Sequence, residues 1–432
     1  MRSRIAPVIG ALLVSAVVVS AADWPQWRGP NRDGVSVETG LLKAWPKGGP
    51  KLAWKVENPK AVGTGYGSPA VVGDKLFILG GDGAKKTAKE FCTCLNTKDG
   101  SKVWQTPLAT SGGNFLDGWG GGPRSTPTVD DDLVFVLGAM GDLTCMTAAD
   151  GKVKWAKNLI KDLQGPNPKI WWGHSESPLV DGDLVVVTPG GKGGMTALDK
   201  KTGKVVWVCS DIKDDPGYSS IIPTDVGGVR QYVQQTMASG VGVRATDGKL
   251  LWKVGASGRR TAVIPTPVVA DGYAFFTAGY GFGSECFKLE KDGDGTTATS
   301  AYPKTTGLIN KQGGVVRFGD KLYGHSEGGG GGWVCFDFKK GGDPVWKEKG
   351  VGGMGSISAA DGMLYCFAEQ DGTCALVKAT DKGYEEVSRF KIPSASTLRP
   401  RQGKVWAHPV IANGKLYLRD YEKLFAFDVS GK

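Results

Sequence analysis

Residues 197–207 read ALDKKTGKVVW, and the same eleven-residue pattern returns as CLNTKDGSKVW at 94–104, CMTAADGKVKW at 145–155 and GVRATDGKLLW at 242–252. Each copy opens on a small residue, carries glycine in seventh place and ends on tryptophan. Asp-Gly or Thr-Gly inside such a run marks a tight turn, so each copy is a strand end, a turn and a return strand closed by a large ring. A looser copy, CFDFKKGGDPVW, occupies 335–346 with one insertion. Ahead of these copies lies a second hairpin: SPAVVGDKLFIL from Ser68, TPTVDDDLVFVL from Thr126, SPLVDGDLVVVT from Ser177, TPVVADGYAFFT from Thr266 and HPVIANGKLYLR from His408. Two hairpins per unit make four strands.

Four strands recurring every 40 to 50 residues or so are the signature of propeller blades. Trp54, Trp104, Trp155, Trp207, Trp252 and Trp346 mark the period as rings docked between blades. Blades five and seven lack that ring; Tyr302 and Phe390 are the nearest aromatic substitutes. The unit beginning near Trp406 runs out at FAFDVSGK before its last strand, whereas KLAWKVE at 51–57 is a strand with no unit in front of it. The expectation is an all-β, eight-bladed β-propeller of four-stranded antiparallel blades, closed by the N-terminal strand completing the last blade. Closure removes the sheet edges that an open stack would expose.

The stretch before that strand divides in two. Met1-Arg2-Ser3-Arg4, an apolar run from Ile5 to Val19 and the small residues Ser20-Ala21-Ala22 read as a secretory signal peptide. The run is short for a membrane span. Residues 1–22 are therefore expected to be cleaved near Ala22, leaving a periplasmic or extracellular protein. Residues 23–50, beginning DWPQWRGPNRDGVS, carry Trp24, Trp27 and Trp45 and should pack on the propeller of residues 51–432, since three free indoles would expose much apolar surface.

The composition, with 67 glycines and 14 tryptophans among 432 residues, fits short strands and tight turns. The net charge of +10 is spread as single lysines in turns, so no nucleic-acid footprint is read from it. Cys94, Cys145 and Cys335 hold the small first slot of the repeat, where Ala197 and Gly242 stand elsewhere, and read as buried filler. Cys366 and Cys374 are the pair to test for a bridge. EKDGDG at 290–295 has calcium-loop oxygens but Ala301 at the twelfth place, and reads as a polar turn.

The unit A-x-D-x-x-T-G-K-x-x-W, complete at 197–207, resembles the tryptophan-docking repeat of pyrroloquinoline-quinone (PQQ)-type propellers. The opening WPQWRGPNRDGVS, with GYSS at 217–220, PTPVVADG at 265–272 and LYLRD at 416–420, is similar to a group of exported PQQ-like repeat proteins. That superfamily holds calcium- and quinone-dependent alcohol dehydrogenases and also non-enzymatic outer-membrane assembly lipoproteins. The resemblance implies the fold, with the activity left to individual sites. In the quinone enzymes it implies a vicinal disulfide, a calcium held by Glu, Asn and Asp, and an Asp base over the channel. Here Thr93 separates Cys92 from Cys94, and no calcium carboxylates are identifiable.

Residues just before each innermost strand are the candidates to line a central funnel: Tyr66, Arg124, Trp172, His174, Glu176, Tyr218, Gln312 and His408. No G-x-S-x-G elbow, phosphate loop or H-E-x-x-H motif occurs. The leading expectation is a monomeric, non-catalytic binding or scaffolding module of the cell envelope, without cofactor or metal, meeting an envelope protein or a polysaccharide. The alternative is a PQQ-dependent alcohol or sugar dehydrogenase, using PQQ and calcium. A third reading is a carbohydrate-binding or carbohydrate-processing propeller with Tyr66, Trp172, Tyr218 and Trp406 as stacking platforms.

Overall fold

The computed structural model describes residues 22–83, 89–111, 117–166, 173–255 and 262–431. Among them eight antiparallel sheets follow one another in chain order, each laid from an inner to an outer strand. Blade 1 runs from Ala70–Val72 to Lys102–Ser111, and blade 2 from Thr128–Asp130 to Val153–Asn158. Blades 3 to 7 begin at Leu179, Ile222, Val268, Val315 and Gly355. Blade 8 takes three strands from Val410 to Asp428 and its fourth from Lys51–Val56, paired antiparallel to Lys423–Asp428. The ring is thus closed by the N-terminal strand, as the orphan KLAWKVE predicts. No described helix is long and apolar enough to cross a membrane.

Middle strands are sandwiched between neighbouring blades on both faces, and Leu133–Leu137 is apolar and buried at every position. Outer strands bury one face only, so Val205, Val206 and Val208 are exposed while Trp207 is buried. The repeat's consensus residues have a common geometric cause. In blades 1, 2, 3, 4 and 8 a β-bulge falls one residue before the tryptophan. It brings the ring opposite the small first residue: Cys94 faces Trp104, Ala197 faces Trp207 and Gly242 faces Trp252. At Gly242 an added Cβ would lie 2.1 Å from the Trp252 ring.

The seventh-place glycine serves the blade before it. A Cβ at Gly203 would lie 2.7 Å from the Trp155 ring, and one at Gly100 2.8 Å from Trp54, both at positive φ. Indole N–H groups donate across the same seams: Trp54 to Thr97 O at 2.8 Å, Trp155 to Lys200 O at 2.9 Å, and Trp207 to Ala245 O at 3.0 Å. Trp252 departs from this, donating to Gln231 Oε1 of its own blade; the hairpin of blade 5 is longer, and a Cβ on its turn residue Gly293 would meet no ring within 4 Å. Tyr302 does replace a tryptophan, packing on Gly341, and Phe390 packs on Gly49 of the N-terminal segment.

All eight cysteines are buried free thiols. Cys366 and Cys374 sit diagonally, opposite Ala375 and Phe367, and are not bridged. EKDGDG forms a hairpin turn in which Asp292 pairs with Gly295.

Candidate functional site

The two ends of the central channel are built from different parts of the chain. Residues 22–41 cross the end where the innermost strands finish. Trp24 bridges Val71 of blade 1, and Pro25 O accepts from Val129 N of blade 2. Arg32 donates to Ser177 O and Pro178 O of blade 3. Trp27 Nε1 donates to Thr266 Oγ1 of blade 5 at 3.0 Å, and Arg28 to Val315 O of blade 6. Val35–Ser36 adds a parallel fifth strand to blade 7, and Glu38 accepts from Gly414 N of blade 8. Seven of eight blades are therefore tied to one segment, which stoppers the channel.

The opening motif is legible in this light. Arg28 and Arg32 adopt φ of 60° and 58°, strained for a side-chain-bearing residue, and both are buried. Burial lowers each guanidinium to about 10, still charged at neutral pH. Gly34 and Gly314 leave room for Arg28, since a Cβ would lie 2.7 Å and 2.0 Å from its guanidinium nitrogens. The tryptophans flag a packed segment in the sequence; the arginines, which do the fastening, carry no such flag. Arg419, in LYLRD, is similar: fully buried, it donates to Gly63 O, Gly67 O and Leu79 O of blade 1 and locks the closing seam.

At the other end lies a cavity of about 570 Å³ to which all eight blades contribute. Its floor is Trp27 of the stopper, set edge-on against His408 at 4.7 Å between ring centroids. Its walls are aromatic. Tyr66 packs against Trp406 at 4.8 Å, and Trp119 lies nearly parallel to Trp406 at 6.2 Å and 19°. Tyr218 and Tyr280 line it from blades 4 and 5.

Three cations and one carboxylate share this wall. Arg124 lies 5.0 Å over the Tyr66 ring and donates to Gly120 O and Gly122 O. Lys311 stands 4.8 Å from the Tyr280 ring centre, and Lys404 Nζ reaches Gln370 Oε1 at 3.0 Å. Glu369 accepts from Trp406 Nε1 at 2.9 Å and from Gln312 Nε2. Burial raises the pKa of Glu369, against the pull of Lys404, Lys311 and Arg399. Burial likewise pushes His408 down to about 3, so that ring is neutral.

Of the residues read from the sequence as funnel candidates, Tyr66, Arg124, Tyr218, Gln312 and His408 line the cavity together, with Trp406 from the stacking set. Trp172 lies outside the described residues. His174 and Glu176 are turned from the wall into the blades: Glu176 accepts from Thr188 N and Oγ1, and burial raises its pKa to about 8. His174, also buried, falls to about 4. Both precede an innermost strand as the others do, but neither side chain reaches the cavity. Trp27, Glu369 and Lys404 escape the sequence reading because they come from the stopper, a strand end and a long loop, where the repeat has no register; Lys311, four residues before Val315, stands in the register of Tyr66 and could have been found by it.

Residues 88–327 match the family model described as outer membrane protein assembly factor BamB. A curated relative of that name from Yersinia pestis is 24% identical over 184 residues, 42% of this chain and 42% of the relative, so the match spans less than half of that protein. Quinohemoprotein alcohol dehydrogenase from Comamonas testosteroni superposes at a TM-score of 0.61 and 14% identity, over 95% of this chain and 81% of that one. A europium-containing methanol dehydrogenase superposes at 0.65 and 13%, over 92% and 89%. Likeness at such identities is one of fold.

Proposed function

The chain belongs to the β-propeller family described as outer membrane protein assembly factor BamB, and from that premise we propose that it is a non-catalytic binding or scaffolding module of the cell envelope. The observation that supports this most is the stoppered ring: twenty residues of chain hold seven blades in fixed register and leave the opposite face, with its loops, as a rigid presenting surface. The reading includes export by the leader at 1–22 and an envelope protein or polysaccharide as partner. Affinity capture from envelope extract with the mature chain tests it. Recurrent recovery of one partner is expected, and turnover of a small substrate with no partner would overturn it.

The aromatic cavity on the propeller axis favours a second reading, a PQQ-dependent dehydrogenase. A quinone bound there would supply redox chemistry, with calcium polarising it. The donor set does not fit calcium, which takes six to eight oxygens, several from carboxylates. The described lining offers one carboxylate, Glu369, already engaged by Trp406 and Gln312. Among the described residues no group of three His, Cys, Asp or Glu side chains stands together to hold a metal. Titration with PQQ and calcium, followed by absorbance and dye reduction, separates the two readings.

A further inference from the structure

We propose that the stoppered funnel binds the uronate end of an acidic glycan, taken in end-on. The proposal deepens the binding-module reading and rests on it. It starts from the shape of the channel. Trp27 closes the floor, so a polymer cannot thread the propeller; a chain terminus or a small molecule can enter. A cavity of about 570 Å³ falls within the usual size range of small-molecule sites.

The chemistry of the wall narrows the occupant. Tyr66, Trp119, Tyr218 and Trp406 offer flat, polarisable faces, which suit a ring compound with apolar C–H faces. Lys311 and Lys404 contact a ring and an amide, and both lie close enough to Glu369 to act on its charge. Arg124 lies over Tyr66 with donors spent on Gly120 O and Gly122 O, so the ammonium groups left to a ligand are Lys311 and Lys404, and against Glu369 they leave an excess of one positive charge beside an acid. That balance accepts one carboxylate better than a phosphate, whose second charge would face Glu369. Gln312 and Gln370 bring amide donors and acceptors to the same wall, matching the hydroxyls of a sugar ring. A pyranose bearing a carboxylate satisfies all three requirements at once. Fixed ammonium groups and the pre-formed floor reduce the ordering cost of binding.

The test uses the mature full chain and tri-galacturonate, with galactotriose as the neutral analogue and PQQ as a planar carboxylate without sugar hydroxyls. Tryptophan fluorescence and calorimetry read the binding. The expected result is saturable binding of the uronate, quenching from Trp27, Trp119 and Trp406, and binding at least about tenfold weaker for the neutral sugar. Lys404→Met and Lys311→Met should each weaken the uronate about tenfold and leave the melting temperature unchanged. Equal binding of acidic and neutral sugars, no saturation by either, or preferential binding of PQQ would each overturn the proposal. Capture of an envelope partner by a protein that ignores the uronate would sink the glycan site alone. Failure of both experiments would sink the module reading with it.

Discussion

At the stoppered end of the channel, Arg28 and Arg32 spend their donors on backbone carbonyls of blades 3 and 6 and of the segment itself, and are buried. At the open end, Lys311 and Lys404 touch a ring and an amide beside one carboxylate, and Trp119 is 37% exposed. The same residue classes, aromatic and cationic, are used at both ends. Burial and hydrogen bonds to backbone carbonyls of the blades make the first a fastening, while partial exposure and a small charge excess make the second a receptor. The contrast shows that composition around a propeller axis does not identify the working face; the state of each polar group does.

The comparison breaks most completely when the fastening is removed. Deleting residues 23–57 takes away both stopper and closing strand, and should yield aggregated protein by sedimentation, since blade 8 loses its outer strand and blade 1 its neighbour. Deleting 23–45 spares the strand. It should give a closed ring by circular dichroism with a lowered melting temperature and a lost cavity floor. Equal damage from both deletions would mean that the stopper, and not the strand, holds the ring.

Single substitutions sharpen the contrast. Trp54→Ala should cost about 3–5 kcal/mol in denaturant unfolding, because the ring is buried on Gly100 and its N–H is spent on Thr97. Arg28→Met should cost about 2–3 kcal/mol by leaving Asp33 O and Val315 O without a donor. Glu176 makes a pH-dependent case. Burial raises its folded pKa to about 8, above the ordinary 4.5 of a glutamate, so the folded state binds the extra proton between those values. Stability from this group is full at low pH and falls as pH rises from about 4.5 to 8, by roughly 1 kcal/mol per unit. Glu176→Gln should flatten that fall in melting temperature. Last, Trp119→Ala in the half-exposed wall should change stability by no more than about 0.5 kcal/mol.

Much of this was legible in the residues. Eight units, four strands each, and a last blade shared between the termini follow from eleven-residue copies and one orphan strand, because a bulge, a glycine turn and a docked ring must recur wherever the same seam recurs. The funnel was legible in part. Tyr66, Arg124 and Tyr218 stand four residues before the first strand of blades 1, 2 and 4, so register finds them, while Gln312 and His408 lie three and two residues before blades 6 and 8. In blade 3 the fourth place is Ser175, which lines the cavity, and His174 and Glu176 on either side of it turn into the blades, as alternation along an extended chain requires.

The sequence by itself determined the blade, the count and the closure, since these rest on local periodicity and on pairing every strand edge. Only the tertiary structure decided which end of the channel is shut, that two arginines and Trp27 shut it, and that Lys311, Glu369, Lys404 and Trp406 meet at the other. The contacts of Arg28, Arg32 and Trp27 with the blades join residues more than a hundred positions apart, and their partners are mostly backbone carbonyls, which every residue type presents alike, so no pattern of side chains announces them.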